Sequence, residues 1–168
     1  MPRKTNKIEV ATRFENLLRR KLPEFENRIY WRIGEEPPAD AVRDRELITF
    51  CFTGGHFDHP NQVGGILDYD GSIRVRVWST NYSDQSGENR ELLLSTPLGL
   101  YDIEARLLLI QDDFLGDGDA TDLILTEGIK ALSDETSNVA AEDENNTFIG
   151  VLSVDFGVNF QWDLTADE

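Results

Sequence analysis

The stretch VLSVDFGVNFQW, Val151–Trp162, alternates without a break. Leu152, Val154, Phe156, Val158, Phe160 and Trp162 are apolar, and Ser153, Asp155, Gly157, Asn159 and Gln161 lie between them. A strand is the regular element that puts alternate residues on opposite faces. Counted back to Phe148 the pattern lasts about 15 residues, where ordinary strands run about 5–6. Extended, it would span about 50 Å at about 3.3 Å per residue. That is longer than one small core requires, and no catalytic motif explains it.

The rest of the chain supplies partners for this strand. TNKIEVATRFENLLRRKL, residues 5–22, reads as an amphipathic helix with Ile8, Ala11, Phe14, Leu18 and Leu22 on its apolar side. Thr5 is placed to cap it, Arg19, Arg20 and Lys21 suit its negative end, and Pro23 stops it. RIYWRI follows as a short strand, and GEEPPADAVRDRE as a linker stiffened by Pro37 and Pro38. Leu47–Gly55, β-branched and aromatic on both faces, reads as a central strand. HFDHPNQVGGILDYDG reads as a long connection with turn chemistry at both ends. SIRVRVWSTNY is a second clear strand, with Ile73, Val75 and Val77 on one face and Arg74, Arg76 and Trp78 on the other.

After the polar loop SDQSGENRE, Thr96 and Pro97 make a helix start. Leu100, Ile103, Leu107, Ile110 and Phe114 then form a helical stripe, and GDGDATD ends it. Leu123–Leu132 is expected to be a strand. SDETSNVAAEDENN, acidic and poor in apolar residues, is expected to be a loop. The order α–β–β–β–α–β–β predicts one α+β domain over residues 1–168, a mostly antiparallel sheet with two main helices packed on it and a long C-terminal strand.

Charge narrows the partners. The net charge is −16. Residues 1–21 carry seven Lys/Arg and two Glu, a net +5, so the remainder is −21. From Asp112 onward fifteen acidic residues are opposed by Lys130 alone. Such a surface repels nucleic acid, because counterion release needs Lys and Arg. A salt-adapted source would give the same balance, and both readings stand. The single Cys51 excludes an intrachain disulfide and fits a reducing compartment. With no signal-peptide-like start and no apolar run of membrane-spanning length, the chain is expected to be soluble and made in the cytoplasm.

Candidate chemistry is sparse. His56, Asp58 and His59 could share a metal, but a site needs further ligands, and the flanking Gly54–Gly55 and Pro60–Asn61 read as a turn. Asp112, Asp113, Asp117, Asp119 and Asp122 offer oxygens that calcium favours. An EF-hand begun at Asp117 puts Asp122 at its glycine position and Gly128 at its glutamate position, and so fails. Cys51 has no local histidine partner, and no nucleophile elbow or phosphate-cradling loop is present. Arg74 and Arg76 share a strand face and could bind an anion, although a sheet rim meeting acidic neighbours accounts for them as well. The chain is read as a non-enzyme with no cofactor and no metal.

Three stretches in order resemble the tail-terminator (tail-completion) proteins of tailed phages, including the minor tail proteins of Mu-like contractile phages. They are the N-terminal helix with its LPEF stop, the strand SIRVRVWSTNYSD, and the closing GVLSVDFGVNFQW. Between them, GLYDIEARLLL (Gly99–Leu109) opens a helix with a matching Gly-x-Tyr-x-Ile-Glu pattern. The resemblance implies an α+β subunit that assembles into a hexameric ring. That ring would cap the tail tube, contact tube and sheath protein, and join the tail to the neck or connector, in a virion assembled in the host cytoplasm. DNA would pass through without specific binding, and no membrane is involved. The polar face of the long strand, together with residues of SIRVRVWSTNY, then supplies the expected subunit or tube interface: Arg74, Arg76, Trp78, Asp155, Asn159 and Gln161. The alternatives are another neck or tail-tube component, or an acidic calcium- or ligand-binding module.

Overall fold

The closing alternation does fold as one unbroken strand, and a sheet is built around it. The computed structural model describes residues 7–25, 27–33, 46–58, 66–81, 93–95, 99–111, 125–140 and 148–163. Helix α1 spans Lys7–Lys21 and is followed by a 3₁₀ turn at Pro23–Phe25. Strand β1 is Ile29–Trp31, β2 is Leu47–Asp58 and β3 is Ile66–Asn81. Helix α2 is Leu100–Leu108, β4 is Leu125–Ala140 and β5 is Phe148–Asp163. The five strands form a single sheet in the order β1-β2-β3-β5-β4. Only β1 runs parallel to its neighbour; the other pairings are antiparallel. The fold is α+β, as the alternation of patterns predicts.

Both helices cover the same face of the sheet. Leu152, Val154, Phe156, Val158 and Phe160 of β5 meet Ile73, Val75 and Val77 of β3 and Ile48 and Phe50 of β2. Val10, Phe14, Leu17 and Leu18 of α1 and Leu100, Ile103 and Leu107 of α2 close this core from above. The Phe14 ring sits 6.0 Å from that of Phe50 and 5.5 Å, edge-on, from that of Phe156. These contacts lock α1 across the centre of the sheet. Arg106 of α2 reaches Glu24 in the turn after α1 at 2.9 Å. The side chain of Gln111 accepts a hydrogen bond from Ala131 N at 2.9 Å, tying the end of α2 to β4.

Several expectations need correction. Ile8 points outward, 75% exposed, and Val10 and Leu17 take the buried positions instead; the helix turns its apolar stripe to where the sheet is. Leu47–Gly55 does lie inside the sheet, between the short β1 and β3, although β3 is the middle strand. His56–Asp58 and Ile66–Gly71, expected in a connection, lengthen β2 and β3 into paired arms. Phe57 and Tyr69 face each other there, ring centroids 5.1 Å apart, and that cross-strand stack offsets the polar sequence around it. Ser133–Ala140, expected as loop, pairs with β5 along Phe148–Asp155. An edge strand needs only one partner and little burial, so its acidic composition is no obstacle. The second face of β5 is not wholly polar either. Ile149 and Val151 join Leu47 and Trp78 in a small buried cluster of their own.

Two glycines shape the β2–β3 arm. Gly54 has φ +138°, where other residues are strained, and it sits at the register shift between Phe52 and Gly54. Gly71 pairs with Gly55, and the Tyr69 ring folds back over Gly71, so that a Cβ there would lie 2.5 Å from it. The expected cap Thr5, the helix start Thr96–Pro97, the stripe residue Phe114 and the segments SDQSGENR and GDGDATD lie outside the described residues.

Candidate functional site

The face of the sheet turned away from the helices carries the residues that the sequence marks out. The β3–β5 register sets them in rows: Asp68 opposite Gln161, Asp70 opposite Asn159, Arg74 opposite Asp155, Arg76 opposite Ser153 and Trp78 opposite Val151. Strand β2 extends the rows on one side with Asp58, His56, Cys51, Thr49 and Leu47. Strand β4 extends them on the other with Ser133 and Glu135. All six expected interface positions thus fall on one face, within two adjacent strands.

They do not have equal access to a partner. Trp78 is 1% exposed, and its indole Nε1 donates to Thr49 Oγ1 at 2.9 Å. It is a core anchor of the second cluster. Arg76, 9% exposed, lies beside that cluster. Burial of Trp78, Val151, Ile149 and Leu47 makes that end of the face apolar and inaccessible.

The middle of the face is ionic. Arg74 Nε donates to Asp155 Oδ1 at 2.7 Å and Nη2 to Oδ2 at 3.0 Å, a two-pronged pair across strands. Ser133 of β4 adds a hydroxyl donor to Asp155 Oδ2 at 3.3 Å. The Arg74 guanidinium, with help from Ser133, holds the Asp155 carboxyl below the usual carboxylate range. Three strands are thereby stitched together at one row.

The far end is acidic. Asp58 faces Asp68, and His56 faces Asp70. The His56 Nε2 to Asp70 Oδ2 distance is 3.8 Å, with both side chains exposed. In the amide orientation that satisfies its surroundings, Asn159 donates to Asp70 and to the Val158 carbonyl. A gradient therefore runs along the sheet, from buried apolar through a charge pair to open carboxylates. Such a face can be wetted or can meet a polar surface.

Catalytic or metal chemistry finds no assembled constellation among the described residues. No group of three or more His, Cys, Asp or Glu is placed to hold a metal ion there. His59 and the cluster Asp112, Asp113, Asp117, Asp119 and Asp122 lie outside them. Cys51 pairs with Arg74 and His56 with Asp70, four residues along β3, about 13 Å at the rise of a strand. They do not form a thiol–imidazole pair. No described helix is long and apolar enough to cross a membrane.

The sequence reading missed a second feature, at the opposite face and edge. Lys7, Ile8, Ala11 and Thr12 of α1, with Trp31 of β1 and Phe52 of β2, line an open apolar slot of about 350 Å³. The signals for it were an apolar Ile8 too near the helix start to be covered and the aromatic pair in RIYWRI. The fold and this face define a two-layer α+β protein with one sheet face buried under helices and the other graded from apolar to acidic. Set against protein-family models and against curated proteins, the chain matches none.

Proposed function

We propose that this chain is a structural assembly protein of tail-terminator type: a subunit of a ring, expected to be hexameric, that caps a phage tail tube and joins it to the neck. The observation that carries the reading is the set of three adjacent 16-residue strands, β3, β5 and β4. The main core takes one face of these strands, and a small second cluster takes one end of the other. That other face presents a cross-strand ion pair and open carboxylates at its middle and far end. A monomer of this size gains little stability from such length, whereas a ring subunit uses the surplus sheet to line a channel or meet a neighbour. The same acidic lining would let DNA pass without adhering, since phosphate contacts need cations.

In this reading the partners are further copies of the chain, tube and sheath protein, and a neck or connector protein. The location is the virion, with assembly in the host cytoplasm. The test is mass determination in solution, followed by electron microscopy of the protein mixed with isolated tail tubes. Rings that bind tube ends are the expected outcome. A protein that stays monomeric in the presence of tube ends overturns the proposal.

A further inference from the structure

The slot between α1 and the first two strands combines apolar walls with a cation. Its walls are Ile8, Ala11 and Thr12 of α1, Trp31 of β1 and Phe52 of β2, and Lys7 stands among them. Its volume of about 350 Å³ lies at the lower end of the range for small-molecule sites, about 300–1,000 Å³. Trp31 is fixed as a wall by Nε1 donating to Glu15 Oε2 at 2.9 Å and by its ring 4.0 Å from that of Phe50. The same Glu15 carboxylate is paired with Arg19 at 2.7 Å, so it brings no net negative charge to the wall. Ile8 is 75% and Trp31 45% exposed, so the apolar lining meets water.

Lys7 is held in place without being paired. Its Nζ lies 4.7 Å from the centre of the Tyr69 ring and 5.4 Å from that of Phe52, within the range of a cation–π attraction. Among the described residues no carboxylate reaches it. The acidic residues of the β2–β3 arm are turned away. Asp68 and Asp70 flank Tyr69 along β3 and so lie on the opposite face of the sheet, where Asp58 pairs with Asp68. Tyr69, beneath Lys7, is 2% exposed, and its hydroxyl is buried with no hydrogen-bond partner. A buried donor left in that state costs stability, and a native structure has few of them. An ammonium and a phenol therefore lie close together by an apolar slot, each without an acceptor.

We propose that the slot binds a small apolar carboxylate, of the class of a medium-chain fatty acid. Its carboxylate is taken by the Lys7 ammonium and the Tyr69 hydroxyl, and its chain lies against Ile8, Trp31 and Phe52. Charge selects the sign of the ligand. An apolar cation is disfavoured, because Lys7 already occupies the ring faces and repels it. A neutral chain fills the slot but leaves both donors without an acceptor, whereas a carboxylate supplies charge-assisted bonds to both. The volume suits one short chain. This inference is independent of the ring reading, which draws on the other face of the sheet.

The experiment is calorimetric titration of the full chain with decanoate, with decanol and decyltrimethylammonium as matched probes and circular dichroism to show that each variant is folded. Decanoate is expected to bind at a single site, about tenfold or more tighter than decanol, the fold-change of one hydrogen bond to a charged group. The cationic probe is expected to bind weakest. Lys7→Gln is expected to lower decanoate affinity by about tenfold and leave decanol unchanged. Tyr69→Phe is expected to raise the melting temperature of the unliganded chain, because it removes an unpartnered buried hydroxyl, and yet to weaken decanoate several-fold. Equal affinity for decanoate and decanol overturns the site. So does a Lys7→Gln or Tyr69→Phe chain that binds decanoate as tightly as the wild type. Absence of decanoate binding overturns it as well, and a solution mass that Lys7→Gln then lowers assigns the slot to a second copy of the chain.

Discussion

At the scale of single residues, the two faces of β5 make opposite demands. Phe156 is fully buried against Phe14, and Phe156→Ala is expected to cost about 3–5 kcal/mol in chemical denaturation. Asn159 lies on the polar face, and Asn159→Ala is expected to change monomer stability by no more than about 0.5 kcal/mol. If the second change instead abolishes an oligomer, that face is a contact surface. Asp155 brings pH into play. Its carboxyl is depressed by Arg74, so its contribution to stability is complete above the unfolded value of about 3.9 and is lost as pH falls through the lower folded value. Asp155→Asn is expected to remove about 1 kcal/mol at neutral pH, a modest figure because the pair is partly open to solvent. Acid titration of folding should show the variant losing less stability than the wild type below about pH 4. Arg74 and Asp155 were both legible as strand-face residues. Their pairing was not, because it depends on register between segments 81 positions apart.

At the scale of elements, packing decides which local preferences survive. The α2 stripe and the apolar side of β5 appear in the structure as the spacing requires, since a periodic apolar face has one stable way to be buried. The β2–β3 arm beyond Phe52 was illegible because glycine, aspartate and histidine are poor strand formers. What holds it is Tyr69, whose ring covers Gly71 and stacks on Phe57 and on Phe160, with centroids 5.0 Å apart in the latter pair. Gly71→Ala is therefore expected to cost about 1–3 kcal/mol, the range for overpacking, seen as a lowered denaturation midpoint. Gly157→Ala should cost less. The atoms nearest its Cβ would be those of the Leu132 side chain, at 3.2 Å, and Leu132 is mostly exposed and free to give way. Equal losses in the two variants would contradict this account of the arm.

For the whole molecule, the charge imbalance has a structural counterpart. The basic helix is part of the fold, not an appendage, because α1 supplies Val10, Phe14, Leu17 and Leu18 to the core. Burying each of these contributes about 1.5–3 kcal/mol, and together that approaches the net stability of a whole domain, about 5–15 kcal/mol. Deletion of residues 1–21 is expected to abolish cooperative thermal unfolding measured by circular dichroism. A truncated chain that melts as sharply as the full one would show that the sheet is stabilised in some other way.

The sequence by itself determined where apolar faces exist: the alternation of β5 and of Ile73–Val77, the helical stripes of α1 and α2, and hence an α+β fold with a largely antiparallel sheet. Those patterns are local, and water enforces them wherever the chain goes. Only the tertiary structure decided which segments lie side by side. It turned the acidic Ser133–Ala140 into an edge strand, took Trp78 out of the polar face and into a core, left Ile8 at the rim of a slot, and set Arg74 against Asp155. Each of these depends on backbone pairing and on what happens to cover a surface, and neither is encoded in the residue's own neighbourhood. An edge strand is stabilised by its partner's hydrogen bonds more than by its own side chains, so composition alone could not reveal it.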